Sequence, residues 1–165
     1  KAAAGLGRDD VKVFSWDPQR DPAPAESFEG VDVVFHLAGE SVAQGRWTAD
    51  KKARIRDSRV AGTRHLVTAL ARLARPPRVL VSASAVGYYG DRGDEILDEA
   101  AGPGSDFLAE VSVAWEREAL AASEAGIRVV NPRIGIVLSR DGGALPKMLA
   151  PFRLGLGSPL GSGRQ

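Results

Sequence analysis

VLVSASAVGYYGD, residues 79–91, joins a short apolar run to serines and a pair of tyrosines, and this combination decides the fold class. The four residues from Val79 to Ser82 suit a strand that is covered on both faces, as strands of parallel sheets are. Ser82 and Ser84 then bring hydroxyls to the carboxyl edge of that strand, where open α/β sheets bind their ligands. The stretch therefore predicts a parallel α/β sheet with a ligand site at the end of this strand.

Further strands and helices are predicted on both sides of this stretch. Apolar alternation predicts strands over 11–16, 31–37 and 127–132, and apolar residues three and four apart predict helices over 48–74 and 105–125, the second capped by its first residue. The resulting order is strand, strand, helix, strand, helix, strand. This alternation predicts right-handed crossovers and a parallel sheet.

The composition excludes several classes of function. The 165 residues, 44% hydrophobic and 26% charged, are enough to bury one core. With no Cys and two His, the chain has few metal ligands, and His36 in its apolar strand is expected to be a hydrogen-bonded core residue. The net charge of +1 gives no broad reason to bind nucleic acid, and no apolar run of about 18 residues predicts a membrane span. We expect a cytoplasmic protein that binds a small molecule.

Several short strings follow one another in a specific order and spacing. They are HLAGES (36–41), RWT (46–48), SASAVGYYGD (82–91), DFLAE and WE (106–110 and 115–116), and GGALPKMLAPFRLGLGSPLGSGRQ (142–165). Together they resemble the epimerase-like family of the extended short-chain dehydrogenases/reductases, of the nucleotide-sugar-epimerase type, over nearly the whole chain. The resemblance implies a doubly wound, Rossmann-like parallel sheet that binds NAD or NADP.

The resemblance also predicts how the chain is organised. It implies a partial NAD(P)-binding domain over 1–137 and the loop-rich start of a substrate lobe over 138–165. Members usually begin with a strand, a G-x-x-G-x-x-G turn, a helix and a second strand, and the turn cradles the pyrophosphate. Only Gly5 and Gly7 lie early in this chain. We therefore expect an incomplete fold without that first unit, truncated at both ends, that binds a dinucleotide poorly on its own.

The expected cofactor site lies along the strand ends. The resemblance implies that Leu37, Ala38 and Gly39 pass the ribose and nicotinamide, and that Glu40 hydrogen-bonds a ribose hydroxyl. Arg46 would meet the ribose phosphate of NADP, which is slightly favoured over NAD. The other expected cofactor contacts are Ser82, Arg133, Ile134 and Ile136. The alternatives are a plain turn after the strand, solvated arginines and simple strand continuation.

Ser84, Tyr88 and Tyr89 are the expected catalytic groups. In related enzymes a Ser or Thr four residues before a Tyr hydrogen-bonds the substrate oxygen, and Ser84 and Tyr88 have that spacing. Such a hydroxyl would polarise a carbonyl. Counting back from Tyr89 reaches Ala85, which cannot donate. The structural alternative is a serine that satisfies the last backbone groups of its strand.

The proton-donor pattern of the resembled family is missing. Related enzymes carry Tyr-x-x-x-Lys on a helix, where the ammonium lowers the pKa of the phenol from about 10. Here that helix has Phe107 or Leu108 at the Tyr position, and no lysine occurs between Lys52 and Lys147. One of the two adjacent tyrosines is the expected substitute.

Three classes of function remain. The first is an NAD(P)-dependent oxidoreductase or epimerase acting on a carbonyl or nucleotide-sugar-like substrate, which Ser84 and the tyrosine pair favour. The alternative is a non-catalytic dinucleotide-binding sensor or scaffold, which the missing Tyr-Lys pair favours; a purely structural piece is a third interpretation. A homodimer through the two long helices is also expected.

Overall fold

The structure is a computed structural model that describes residues 11–139, 141 and 144–158, with the backbone alone for Lys147. Its elements are β1 Val33–His36, α1 Ala49–Ala71, β2 Val79–Ser82, β3 Ser84–Ala85, α2 Phe107–Leu120, β4 Arg128–Val130, β5 Arg133–Ile134 and α3 Leu145–Arg153. Turns of 3-10 helix cover Ala25–Phe28, Val86–Tyr89 and Ala121–Ala125. The chain separates into two compact units, Lys1–Arg133 and Ile134–Gln165. The expected division at residue 137 stays a prediction.

The first unit is built on a parallel sheet in the order β1-β2-β4. Val34 pairs with Leu80, and Leu80 pairs with Val129 on the other side. These side chains face a core to which α1 contributes Leu70, and both Leu80 and Leu70 are fully buried. Burying a leucine contributes roughly 1.5–3 kcal/mol. The predicted parallel α/β fold is confirmed, and β2 has the bounds that the sequence predicted.

Helix α1 begins where its sequence provides a cap. The hydroxyl of Thr48 accepts a hydrogen bond from the backbone N–H of Lys51 at 3.2 Å, which satisfies one of the free donors of the first turn. The helix ends at Ala71, three residues before the predicted end, because the N–H groups of Arg72 and Leu73 bond to carbonyls three residues back. These tighter bonds close the last turn. None of the described helices is long and apolar enough to cross a membrane.

Helix α2 is capped by Asp106 and not, as predicted, by Ser105. The carboxylate of Asp106 accepts from the N–H of Ala109 at 2.9 Å, and a negative charge at a helix N-terminus is favoured by the helix dipole. The inward stripe of the helix includes Val111 and Trp115, as predicted. The 3-10 turn after the helix ends at Gly126, whose φ of +76° suits glycine.

Residues 11–16 were predicted to form a strand and do not. Val11 and Val13 are 41% and 54% exposed, and in the described residues no strand pairs with this segment. An alternating pattern alone does not make a strand, because its backbone N–H and C=O groups need a neighbouring strand. Trp16 instead packs against the core, and its indole N–H donates to the carbonyl of Asp21.

The second face of the sheet is apolar and exposed. Val33 and Phe35 alternate along β1 with the inward residues and are 41% and 68% exposed. Val130, which neighbours Val81 across the sheet, is 37% exposed on the same face. The helices of the first unit therefore cover the face that carries Val34 and Leu80.

The second unit contains a helix where the sequence predicted loops. α3 spans Leu145–Arg153, and Pro146 stands in its first turn, where the missing N–H costs no hydrogen bond. Pro151 lies near the other end of the helix. The prediction of loops from the Gly-rich composition of 138–165 therefore missed helix α3.

Gly104 lies so close to the backbone of the tyrosine turn that no side chain fits. A Cβ there would be 2.7 Å from the carbonyl oxygen of Tyr89 and 2.8 Å from Cα of Gly90. We expect Gly104→Ala to lower the free energy of unfolding by about 1–3 kcal/mol in urea denaturation, because the backbone must shift. At Gly102 a Cβ meets nothing within 4 Å, so Gly102→Ala is the control. Equal losses in the two variants would contradict this prediction.

Candidate active site

Ser84 lies just beyond β2, and its hydroxyl donates to a carboxylate from α2. The Oγ atom is 2.5 Å from Oε1 of Glu116. The two residues are 4% and 9% exposed, so this hydrogen bond is buried. The Ser84 hydroxyl uses its hydrogen in the bond to Glu116. In this arrangement Ser84 can therefore only accept a hydrogen bond from a further partner. Its expected role as a donor to a carbonyl stays a prediction, and that role requires the hydroxyl to turn away from Glu116.

Arg133 forms a two-pronged ion pair with the same carboxylate. Its Nε is 2.9 Å from Oε1 of Glu116, and its Nη2 is 3.0 Å from Oε2. The hydrogen bond to Glu116 is the largest of the effects that raise the pKa of Arg133, so this guanidinium stays charged. Parallel hydrogen bonds between an arginine fork and a carboxylate are among the strongest in proteins.

Both expected catalytic tyrosines contact Arg133. Its Nη1 donates to the hydroxyl of Tyr89 at 2.9 Å, and its guanidinium carbon lies 3.5 Å from the ring centroid of Tyr88. The two rings meet edge to face, 5.3 Å apart. The turn that carries them ends at Gly90, whose φ of +66° favours glycine. The structure thus brings Ser84, Tyr88 and Tyr89 into one cluster through Arg133 and Glu116.

Glu116 is the residue of this cluster that the sequence did not predict. A carboxylate on the buried face of α2 signals a partner, since an unpaired buried charge is costly. The dipeptide WE at 115–116 supplied that signal. It did not reveal the partner, because Arg133 and Ser84 are distant from it in the sequence.

The turn after β1 is fixed by Arg59. The Nη1 of this arginine donates to the carbonyl of Glu40 at 3.0 Å and to that of Ile55 at 3.1 Å. Its guanidinium also lies over the ring of Trp115, 5.1 Å from the centroid, and burial lowers its pKa. A Cβ on Gly39 would come within 3.1 Å of this guanidinium. The missing side chain of Gly39 therefore makes room for Arg59, and a close approach of cofactor to Gly39 stays a prediction.

Glu40 is paired with a buried lysine. Its Oε1 accepts from Nζ of Lys51 at 2.5 Å, and that hydrogen bond is the main cause that lowers the pKa of Glu40. The Lys51 side chain is 5% exposed, whereas that of Glu40 is 37% exposed. The carboxylate thus has an open side, and its predicted bond to a ribose hydroxyl stays a prediction.

The other expected cofactor residues differ in accessibility. Arg46 is exposed, and its guanidinium has no ion-pair or hydrogen-bond partner in the part of the chain that the structure describes. Ser82 is fully buried, and its hydroxyl lacks a described partner. The exposed positions are Leu37, Ala38, Ile134 and Ile136. The last two belong to the second unit, and Gly5 and Gly7 lie outside the described residues. All these cofactor contacts stay predictions.

His36 is a core residue, as predicted. Its Nε2 is 3.0 Å from the hydroxyl oxygen of Thr63, and the residue is 4% exposed. Burial lowers the pKa of His36, because the charged ring loses its hydration. Among residues 11–139, 141 and 144–158, no three His, Asp or Glu side chains are grouped to hold a metal ion.

Acid should destabilise the fold through His36. Its pKa is about 6.5 in the unfolded chain and lower in the folded one. The unfolded state therefore binds more protons once the pH falls below about 6.5, and the free energy of unfolding falls with it. We expect His36→Gln to weaken this dependence between about pH 7 and 5 in urea denaturation. The control variant His65→Gln should keep the pH dependence of the free energy of unfolding. The same pH dependence in His36→Gln as in the wild type would contradict the prediction.

Comparison with known sequences yields one family over almost the whole chain. Residues 5–165 match the NAD dependent epimerase/dehydratase family. The Epimerase family protein Mb2239 of Mycobacterium bovis is 42% identical over 150 residues, which are 91% of this chain and 49% of that protein. The chain spans about half the length of the curated relatives it matches.

Two solved structures are similar to this chain in both fold and sequence. A nucleoside-diphosphate sugar epimerase from Corynebacterium glutamicum is 41% identical with a TM-score of 0.74, over 90% of this chain and 30% of that one. The human epimerase family protein SDR39U1 (isoform 2), solved with NADPH, is 33% identical with a TM-score of 0.73, over 88% of this chain and 53% of that one.

Proposed function

The chain belongs to the NAD dependent epimerase/dehydratase family, and we propose that it acts as an NAD(P)-dependent epimerase or oxidoreductase on a carbonyl or nucleotide-sugar-like substrate. Membership confirms the resemblance to epimerase-like extended short-chain dehydrogenases/reductases. The similar protein from Corynebacterium glutamicum is named a nucleoside-diphosphate sugar epimerase, which supports the substrate class.

The proposal depends on one observation, the cluster of Ser84 and the tyrosines at the end of β2. Ligands of open α/β sheets bind beyond the carboxyl ends of the strands. The hydroxyl of Tyr89 accepts from Arg133 and keeps its own proton for another partner. A phenolic proton at this edge suits acid–base chemistry on a substrate oxygen.

The residues after β1 fit a nicotinamide dinucleotide in their chemistry. Leu37, Ala38 and Gly39 are exposed at the end of a parallel strand. The guanidinium of Arg46 is exposed and suits a phosphate, which favours NADP slightly over NAD. A bound nicotinamide supplies hydride transfer. The similar human protein was solved with NADPH, which supports this choice.

A non-catalytic module is the second candidate, and one contact favours it. The Ser84 hydroxyl donates to Glu116 and is not free to donate to a substrate. A dinucleotide-binding sensor or scaffold without turnover would need no such donor. A cytoplasmic location and a homodimer through α1 and α2 remain predictions for either candidate.

Cofactor binding is tested by tryptophan fluorescence. The chain has three Trp, and in the purified full-length protein we expect NADPH or NADH to quench the tryptophan emission in a saturable way. Arg46→Gln should weaken the binding of NADPH more than the binding of NADH, because the guanidinium is expected to contact the additional phosphate of NADPH. The control is Arg20→Gln, whose arginine is exposed and pairs with Asp17. No quenching by either nucleotide would refute the cofactor assignment.

Turnover is tested with the full-length protein, by cofactor oxidation against a panel of carbonyl compounds and nucleotide sugars. Ser84→Ala should lower kcat by about 10²-fold, the usual cost of losing a donor to a developing oxyanion. Ser112→Ala is the matched control, since this buried hydroxyl donates to the carbonyl of Leu108. Full activity in Ser84→Ala would exclude the proposed role of Ser84, and oxidation of no compound by the wild type would favour the non-catalytic candidate.

A further inference from the structure

A cation lies beside the Tyr89 phenol although the chain has no lysine between Lys52 and Lys147. We propose that Arg133 takes the place of the missing lysine at Tyr89, which is the proton donor, and that Glu116 is the residue that positions Arg133. The inference rests on the proposed function and assigns the chemistry to Tyr89 and not to Tyr88.

Three contacts hold the guanidinium of Arg133 in one orientation. Nε and Nη2 form the fork to Glu116 at 2.9 and 3.0 Å, and the guanidinium carbon lies 3.5 Å from the ring centroid of Tyr88. Nη1, the remaining nitrogen, reaches the Tyr89 oxygen at 2.9 Å. The arginine side chain is 18% exposed and that of Glu116 is 11% exposed, so water competes little for these contacts.

This arrangement suits the donation of a proton by Tyr89. Because Nη1 is the donor in its bond to Tyr89, the phenolic hydrogen is free for a negatively charged substrate oxygen. In the transfer the Tyr89 O–H bond breaks, a new O–H bond forms on the substrate, and the electron pair stays on the tyrosine oxygen. The guanidinium stabilises the resulting phenolate as the ammonium of a lysine does. A proton from water then restores the phenol.

Tyr88 is placed for a different task. Arg133 lies over its ring, and within residues 11–139 its hydroxyl has no hydrogen-bond partner. A guanidinium on the ring face gains a cation–π contact but does not stabilise charge on the phenolic oxygen as directly as a hydrogen bond does. Tyr88 therefore supports the orientation of Arg133.

Glu116 acts through Arg133. The carboxylate engages two of the three guanidinium nitrogens and so leaves Nη1 as the one turned to Tyr89. A similar fork joins Arg64 of α1 to Glu118, which lies on α2 as Glu116 does. The Arg64 side chain is 57% exposed and contacts neither tyrosine. That pair is a matched control for the loss of an arginine–carboxylate fork on α2.

The first experiment measures turnover of the purified full-length protein with NADPH on the panel substrate that the wild type turns over. Tyr89→Phe should lower kcat by about 10²–10⁴-fold with little change in KM, and Arg133→Gln by about 10²-fold. Arg133→Lys should regain at least tenfold of that loss, because the charge returns. Glu116→Gln should lower kcat by about tenfold, and Arg64→Gln should match the wild type. Tyr89→Phe at wild-type rate would overturn the inference, as would a failure of Arg133→Lys to regain activity when circular dichroism shows both Arg133 variants folded.

The second experiment needs no activity. The chain has two Tyr, so protein labelled with 3-fluorotyrosine gives two fluorine NMR signals, which Tyr88→Phe and Tyr89→Phe assign. Glu116→Gln should move the Tyr89 signal in the same direction as Arg133→Gln, and Arg64→Gln should leave it in place. An unmoved Tyr89 signal in Glu116→Gln would overturn the positioning role. Absence of turnover in the wild type refutes the proposed function and the donor role with it, whereas the fluorine signals still decide whether Glu116 positions Arg133.

Discussion

Glu116 brings a carboxylate onto the buried face of α2, and the surrounding contacts follow from the need to compensate its charge. Arg133 supplies the countercharge through two hydrogen bonds, and Ser84 supplies a third. Removing one partner of a buried ion pair costs about 3–5 kcal/mol, because the other charge is left without compensation. This carboxylate therefore links α2 to the residues that follow β2 and β4. These are the strand ends at which the fold binds ligands.

The tyrosines depend on this link and on a tight backbone contact. Their turn ends at Gly90 with a positive φ, and the N–H of Gly104 donates to the carbonyl of Tyr88 at 2.9 Å. The turn thus holds the rings against Arg133, so one guanidinium meets a phenol oxygen and an aromatic face together. In the related enzymes a helix carries both the tyrosine and its cation. In the proposed mechanism a turn provides the tyrosine, and a residue after β4 provides the cation.

The sequence predicted those features that local pattern determines. The run Val79–Ser82 predicted β2 correctly, because a short apolar run that follows Arg78 and ends in a serine fits a buried strand. The sequence pattern was wrong at 11–16, because a strand needs a neighbouring strand. It was also wrong at Ser105, because the adjacent Asp106 caps α2 with its carboxylate. The role of Glu116 could not be predicted, because its contacts join residues separated by 17 and 32 positions. Only the folded chain brings them together.

The central claim is that Arg133 acts through Tyr89, and a double-mutant cycle tests it most directly. Two residues that act as a unit have non-additive effects on catalysis. The rates to compare are kcat/KM of Arg133→Gln, Tyr89→Phe and the combined variant, each relative to the wild type. If Arg133 serves Tyr89, the combined variant will match Tyr89→Phe within about threefold, since the arginine has no phenol left to assist. Losses that multiply in the combined variant would show that the two residues act independently and would contradict this account.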